Sequence, residues 1–205
     1  MTGRLPARIV GDIGALPKSA RGPRSLVWWG NAGFMLIEGS AFALAIGVYL
    51  YLRSETPAWP PSGDQRPALM WSGIFTACLL LSQVPNIWVS GNAKAKDPER
   101  TRTGVLLMTI IGMVLLGLRG MEISVLTPQW DHDAYGSVLW MLMILHSSHI
   151  VTELGETAVQ AAWLYTHQIG DDQFADVEDN CNYWSFVVLA WIPIYALLYW
   201  APRLV

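Results

Sequence analysis

Four ionisable side chains follow one another at helical spacing in the second half of a long apolar segment. They are His146, His149, Glu153 and Glu156, and intervals of three, four and three residues place them on one stripe of a helix. Two imidazoles and two carboxylates on one face are a candidate metal site, as in the di-iron sites of helix bundles. Those sites, however, need a Glu-x-x-His pair on each of two helices and two further glutamates, and this chain has no second such helix. The pattern therefore favours a polar face lining the bundle interior or a partner surface, with no metal.

A fifth candidate is Glu38, twelve residues into an apolar stretch that is long enough to cross a bilayer. A carboxylate near the middle of a membrane costs at least a few kcal/mol unless it is protonated, paired or exposed to a polar cavity. Small residues follow it directly, so that a lipid headgroup, a water molecule or another helix has room to approach. We predict that Glu38 is largely protonated and faces a lipid- or water-containing cleft, with a role in helix packing alone as the alternative.

Arg119 and Glu122 lie three residues apart in another apolar segment and therefore share a helix face. A single arginine within a bilayer needs such a partner. Because a matched buried pair is compatible with packing alone, we interpret these two residues as a structural ion pair.

The elements that carry these residues are five apolar segments with the length and composition of transmembrane helices, since a bilayer core of about 30 Å needs about 20 residues of helix. Hydrophobic residues make up 53% of the 205 and charged residues only 14%, with the charges clustered between the segments. The sequence therefore predicts an all-α integral membrane bundle. Its transmembrane domain covers residues 26–205, after a basic arm over residues 1–25, and its helices are expected at about 26–52, 68–89, 103–126, 135–165 and 183–200.

Basic residues predict the orientation of this bundle. The amino-terminal arm has five and the loop over residues 90–102 has four, so that nine of the thirteen fall on one side. The positive-inside rule makes that side cytoplasmic and places the amino terminus there. The loop before the last helix should also be cytoplasmic, although it is acidic and contains no Lys or Arg. No nucleotide-binding motif is present, and no nucleic-acid partner is expected.

Taken in order, these features resemble subunit III of the haem–copper oxidases. The resemblance covers residues 28–200 and has the following parts: an acid between Phe34 and Phe42, Tyr49 to Arg53, Trp59-Pro60-Pro61-Ser62-Gly63, Arg119 with Glu122, Tyr135-Gly-Ser137, the His146/His149 pair, Glu178, and Tyr183-Trp184 leading to Trp191.

The resemblance implies a bacterial five-helix subunit of the inner membrane that contains no haem or copper and is not catalytic alone. Haem and copper are then expected in partner subunits I and II. The subunit would pack on subunit I, hold phospholipid in a cleft and support proton uptake during aerobic electron transport. Glu38 matches the family's membrane-embedded glutamate. Glu122, His146, His149 and Glu178 match positions where the family usually has the same residue types.

The sequence departs from the family pattern at three positions, which leaves alternatives open. Ser147 stands where a glycine is common, and Ser185 and Val188 stand where a histidine and an aspartate are usual. A divergent branch is therefore possible, including subunits of quinol oxidases and proteins that accompany nitric oxide reductases. Another alternative is a stand-alone membrane metalloenzyme that uses the His146 to Glu156 face. A small transporter is a third, but the inverted repeats typical of that class are not found.

Overall fold

The computed structural model of the chain describes residues 26–61 and 66–204. The predicted basic arm over residues 1–25, and Ser62 and Gly63 of the proline-containing turn, lie outside the described residues. Six α-helices follow in order: α1 Leu26–Glu55, α2 Leu69–Leu81, α3 Gln83–Lys94, α4 Pro98–Ser124, α5 Ala134–Thr166 and α6 Asp171–Tyr195. A π-helical turn, Ala196–Trp200, and a short 3₁₀ turn, Ala201–Arg203, extend the last helix.

These helices make five segments that are long and apolar enough to cross a membrane. The spans are α1, α2 with α3, α4, α5, and α6 with its extension to Arg203. No strand occurs among the residues described. The prediction of an all-α bundle with five transmembrane helices is therefore confirmed.

The last span begins at Asp171, twelve residues before the predicted start at 183. The acidic stretch that the sequence suggested as a loop is the first part of α6. Asp171 and Asp172 lie in its first turn, where negative charge interacts favourably with the helix dipole, and the Gly170 amide donates to Gln173 Oε1 at 2.8 Å. Apolar length alone misplaces this boundary, because a helix can continue with polar residues beyond the hydrocarbon core. Glu178 consequently lies on a helix.

The second predicted helix, 68–89, is interrupted at Ser82, between α2 and α3. Pro85 has no amide hydrogen to donate to the carbonyl of Leu81 and crowds that position, which explains the break. The Ser82 hydroxyl donates to the Leu79 carbonyl at 2.6 Å and accepts a hydrogen bond from Trp184 Nε1 at 2.9 Å. The break thus connects this span to α6.

The third predicted helix also begins earlier, at Pro98 instead of residue 103. Asp97 caps α4 by accepting a hydrogen bond from the Arg100 amide at 3.1 Å. A capped first turn with proline at its start needs no apolar residues to be helical.

Helix α5 lies at the centre of the bundle and packs against α1, α4 and α6. Its buried face includes Leu139, Leu142, Met143 and Ile150. Helices α3 and α4 approach closely at Gly104, where a Cβ atom would lie 2.5 Å from Val89 Cγ2. The contacts of α5 with α1, α4 and α6 determine the neighbours of each polar residue on α5.

The connections at one end of the bundle are held together by charge. Lys96 follows α3 and lies 2.8 Å from Asp171 at the start of α6. Arg102 near the start of α4 donates to the carbonyls of Leu164 and His167 at 2.6 and 2.9 Å. The basic connection before α4 and the acidic start of α6 are therefore neighbours.

Candidate functional site

Arg119 on α4 is the centre of a buried polar cluster. Its Nη1 atom lies 2.7 Å from Glu122 Oε2, and the two side chains are only 1% and 2% exposed. Its Nη2 atom donates to His146 Nδ1 on α5 at 3.0 Å. Tyr199 beyond α6 donates its hydroxyl to the other oxygen of Glu122. One arginine therefore connects three spans.

The hydrogen bonds of His146 define its tautomer. A guanidinium group can only donate, so Nδ1 of His146 accepts from Arg119. The other ring nitrogen, Nε2, lies 3.0 Å from the Val187 carbonyl, which can only accept, and so Nε2 carries the hydrogen. His146 is thus a neutral imidazole with both nitrogens engaged.

Aromatic rings enclose the guanidinium group of Arg119. Its Cζ atom lies 3.7 Å from the ring centroid of Phe75 and 4.0 Å from that of Trp191. Cation–π contacts of this kind gain about 2 kcal/mol or more when desolvated. Trp191 is itself oriented, because its Nε1 atom donates to Thr76 Oγ1 at 2.8 Å. The cluster has the partners and packing of a structural clamp.

Glu38 on α1 belongs to a second polar group, which it forms with α5 and α6. Tyr183 donates its hydroxyl to Glu38 Oε2 at 2.6 Å. His149 Nε2 lies 3.4 Å from Glu38 Oε1. The other ring nitrogen of His149 lies 2.6 Å from the Leu145 carbonyl and must donate to it, so Nε2 carries a proton only when the imidazole is charged. Glu38 and His149 can therefore share one proton between Oε1 and Nε2.

This second group borders a cavity of about 1070 Å³ between α1, α5 and α6. Glu153 lines the cavity, is 1% exposed, and has no hydrogen-bond partner for either carboxyl oxygen among the described residues. The Thr157 hydroxyl, one turn away, pairs with the Asn180 side chain instead, at 3.4 Å from its Oδ1 and 3.2 Å from its Nδ2. The other carboxylates that line the cavity are Glu38, Glu156, Asp176 and Asp179.

The tertiary structure thus divides the predicted stripe of α5 between two environments. His146 faces the Arg119 cluster, whereas His149, Glu153 and the exposed Glu156 lie toward the cavity side. Glu178 on α6 is partly buried and does not line the cavity. Among residues 26–61 and 66–204, no three His, Cys, Asp or Glu side chains gather closely enough to hold one metal ion.

Sequence reasoning missed several partners of these residues. It did not pair Tyr183 with Glu38, place Phe75 and Trp191 around Arg119, or assign Gln160 to the wall beside Glu153. The Tyr183-Trp184 motif was a signal that this part of α6 mattered. No signal in the sequence identified Phe75 or Gln160.

The fold and these two polar groups define a multi-pass helical membrane protein with buried ionisable residues and a carboxylate-lined cavity. The chain belongs to the cytochrome c oxidase subunit III family, whose model matches residues 39–202.

Individual relatives are distant from this chain. It is 24% identical over 183 residues to cytochrome c oxidase subunit 3 of Synechocystis sp., covering 87% of this chain and 77% of the relative. It is 26% identical over 179 residues to the protein of the same name from Cyanidium caldarium, covering 82% and 66%. For the Rhizopus stolonifer protein of that name the identity is 20% over 142 residues, covering 69% and 50%. The chain thus spans about half the length of the Rhizopus relative.

Proposed function

We propose that this protein is the non-catalytic subunit III of a bacterial respiratory haem–copper oxidase. It would pack on subunit I, in a complex that also contains subunit II, and haem and copper would lie in those partners. The observation that carries the proposal is the position of Glu38, which Tyr183 and His149 hold at the wall of a cavity. Family membership supports the same assignment.

In this proposal the cavity supports proton uptake by the complex. A proton that reaches the Glu38 carboxyl can pass from Oε1 to His149 Nε2, which converts a neutral acid and a neutral imidazole into a carboxylate and an imidazolium. The reverse transfer restores both neutral groups. The pair therefore keeps the proton in either state, and its net charge does not change. Tyr183 supports this exchange because its hydroxyl donates to Oε2 in either state.

The same cavity is proposed to hold phospholipid. Its walls combine carboxylates with apolar side chains of Val27, Phe34, Val159 and Leu164. A lipid that occupied this space would connect α1 to the rest of the bundle, since α1 is the least buried of the five spans.

The proposed location is the bacterial inner membrane, with the amino terminus in the cytoplasm. The acidic start of α6 lies beside the basic connection before α4, with Lys96 paired to Asp171. Because acidic residues contribute little to the positive-inside rule, this pairing is compatible with both connections being cytoplasmic.

Two alternatives differ in their support. A stand-alone metalloenzyme would need His146 as a ligand, and both ring nitrogens of that residue already make hydrogen bonds.

A subunit that accompanies a nitric oxide reductase is favoured by the divergent positions of α6. There, Ser185 Oγ accepts a hydrogen bond from Asn86 Nδ2 at 3.1 Å, and Val188 is buried, so neither position offers charge to a partner.

Purification of the affinity-tagged chain from its native membrane tests the assignment. We expect a haem-bearing partner at stoichiometric ratio, and the haem spectrum of the complex with oxygen and with nitric oxide distinguishes an oxidase from a reductase. A chain that purifies without a haem protein but retains stoichiometric iron, zinc or copper after chelator washing would refute the subunit proposal.

The variant Glu38→Gln tests the role of the cavity wall. It should leave assembly with subunit I intact while sustained oxygen reduction declines as proton supply becomes limiting. Glu55→Gln, at the exposed end of α1, is the matched control and should behave as wild type. Complete loss of assembly in Glu38→Gln alone would instead assign Glu38 to helix packing.

A further inference from the structure

The two polar groups of the bundle lie on successive turns of α5, yet no hydrogen bond joins them in the part of the chain that the structure describes. His146 belongs to the Arg119 cluster, and both of its ring nitrogens already make hydrogen bonds. His149, three residues further, bonds to the Leu145 carbonyl and lies beside Glu38. A proton moves between groups that are within hydrogen-bond reach, directly or through water. The protons of the two groups are therefore separate.

Phe42 on α1 lies against the imidazoles of both groups. Its ring centroid is 4.8 Å from that of His149 and 6.2 Å from that of His146. The side chain is only 4% exposed, and it follows Glu38 by four residues, or about one helical turn. Because a phenyl ring has no N–H or O–H hydrogen and no lone pair, Phe42 cannot pass a proton from one group to the other.

Phe186 on α6 extends this apolar layer. Its ring centroid lies 6.3 Å from that of Phe42 and 5.7 Å from that of Tyr183, the hydrogen-bond donor to Glu38. A Cβ atom at Gly39 would lie 3.6 Å from Phe186 Cε2, so α1 packs directly on this ring. The two phenylalanines thus come from the two helices that meet α5 at this level.

The cavity ends before this layer. Its lining includes Glu38 on α1 and Thr152 on α5, but neither Phe42 nor Phe186 is among the described residues that line it. An apolar constriction excludes water and so interrupts a chain of water molecules. Water that enters the cavity is therefore stopped at Glu38.

Polar groups resume beyond the layer and approach the other end of the bundle. Glu122 accepts a hydrogen bond from Tyr199, which interacts electrostatically with Tyr135 at the start of α5. Trp59, in the connection after α1, packs edge-on against Tyr135, with ring centroids 5.1 Å apart. The lining of the cavity, by contrast, reaches Gln173 near the start of α6. The apolar layer consequently separates the cavity from the polar side chains near the opposite end.

We infer that Phe42 and Phe186 form an apolar barrier that confines the proton of the Glu38/His149 pair to the cavity side. The barrier prevents the polar groups on its two sides from joining into a path that conducts protons across the membrane. Phe42 is a positioning residue in this role, because it touches the imidazole that exchanges the proton and carries no proton itself. The inference rests on the proton exchange of the proposed function and makes that exchange one-sided.

Passive proton flow into liposomes tests the barrier. The full chain, with the subunits that accompany it, is reconstituted into phosphatidylcholine liposomes that contain a pH-sensitive dye, and a potassium gradient with valinomycin drives protons inward. No electron donor is added, so the result does not depend on the oxidase assignment. Phe42→Ser should raise the rate of proton flow by about tenfold or more over wild type, equivalent to about 1.4 kcal/mol of barrier, because serine admits water and offers a hydroxyl.

Matched variants separate loss of the barrier from general loosening of the bundle. Phe42→Leu keeps the position apolar and should conduct as little as wild type. Leu44→Ser introduces the same side chain at a position of α1 that is 71% exposed, and it should also behave as wild type. In the double variant with Glu38→Gln and Phe42→Ser the flow should fall back toward wild type, because the carboxyl group that delivers the proton is absent.

Phe186→Ser keeps the inference testable if Phe42→Ser does not assemble, and it should raise the proton flow in the same direction. Wild-type flow in each of these serine variants that retains its fold, as verified by circular dichroism, would overturn the inference. An undiminished flow in the double variant would overturn it as well, since the protons would then not pass through Glu38. A failed barrier would leave the subunit assignment intact, and a chain without a haem-bearing partner would leave the barrier to be measured in the same way.

Discussion

The bundle buries ionisable side chains in two different ways. Around Arg119 the charges are matched, both terminal guanidinium nitrogens bond to Glu122 or His146, and two rings enclose the group; only Nε has no hydrogen-bond partner among the described residues. Around Glu153 the carboxyl group is equally buried, yet its oxygens have no partner in the described ranges and border a cavity. A charged group that is mostly paired is typical of a stabilising contact, whereas a buried carboxyl group with no partner for either oxygen needs a separate explanation.

The largest expected effect comes from Arg119→Met. Removal of the guanidinium group leaves Glu122 buried without its cation, which typically costs about 3–5 kcal/mol. We expect a loss of this size in the free energy of unfolding, measured by denaturant titration in detergent. Arg100→Met, at an exposed position of the same helix, is the control. A loss under about 1 kcal/mol, within the range of ordinary substitutions, would show that the cluster is not a structural clamp.

At Glu153 we expect a substitution to raise the free energy of unfolding, whereas Arg119→Met should lower it. In delipidated protein, Glu153→Leu removes a buried carboxyl group without breaking a hydrogen bond, and so should raise the free energy of unfolding by about 1–3 kcal/mol, the usual cost of an unsatisfied buried group. Glu156→Leu, at the exposed position one turn further, should change stability less. Destabilisation by Glu153→Leu would mean that both regions are built for stability, and the contrast between them would disappear.

Tyr183→Phe tests the part of the cavity wall that is partnered. The variant loses the hydrogen bond to Glu38 while it keeps the ring that stacks on Phe34, and about 1 kcal/mol of stability should be lost. Thermal unfolding of this variant is compared with that of Tyr195→Phe, whose hydroxyl makes no hydrogen bond to the described residues. Equal stability of Tyr183→Phe and wild type would argue that Glu38 is held by His149 instead.

The smallest effect is expected at the exposed end of the bundle. Lys96 and Asp171 form an ion pair, but their side chains are 60% and 79% exposed. Exposed pairs contribute about 0–1 kcal/mol, so Lys96→Ala should leave the melting temperature almost unchanged. A loss comparable with that of Arg119→Met would show that charge pairing outside the bundle interior matters as much as pairing within it.

Much of the fold could be predicted because membrane spans depend on apolar length, which is a property of the sequence. The five spans and the Arg119–Glu122 contact follow from local spacing. The start of α6 could not be predicted in this way, because its first turns are polar helix that no hydropathy pattern distinguishes from a loop. Glu178 was assigned to that loop for the same reason.

The candidate site could be predicted only in part. His146 and Glu156 share a helical stripe, but ten residues of helix separate them by about 15 Å along the axis. Over that distance the stripe passes from the Arg119 cluster to the cavity, so that one sequence pattern serves two environments. Spacing along a helix determines direction around its axis and leaves the identity of the facing helix open.

The sequence by itself determined the membrane-spanning class of this protein, its five helices and the local ion pair, since these depend on composition and on residues three or four apart. Only the tertiary structure decided which polar groups meet. Glu38 pairs with Tyr183 across 145 residues, and Arg119 with His146 across 27. Such contacts depend on how the helices rotate and pack against one another. Packing also left both carboxyl oxygens of Glu153 without a hydrogen-bond partner among the described residues, at the wall of the cavity.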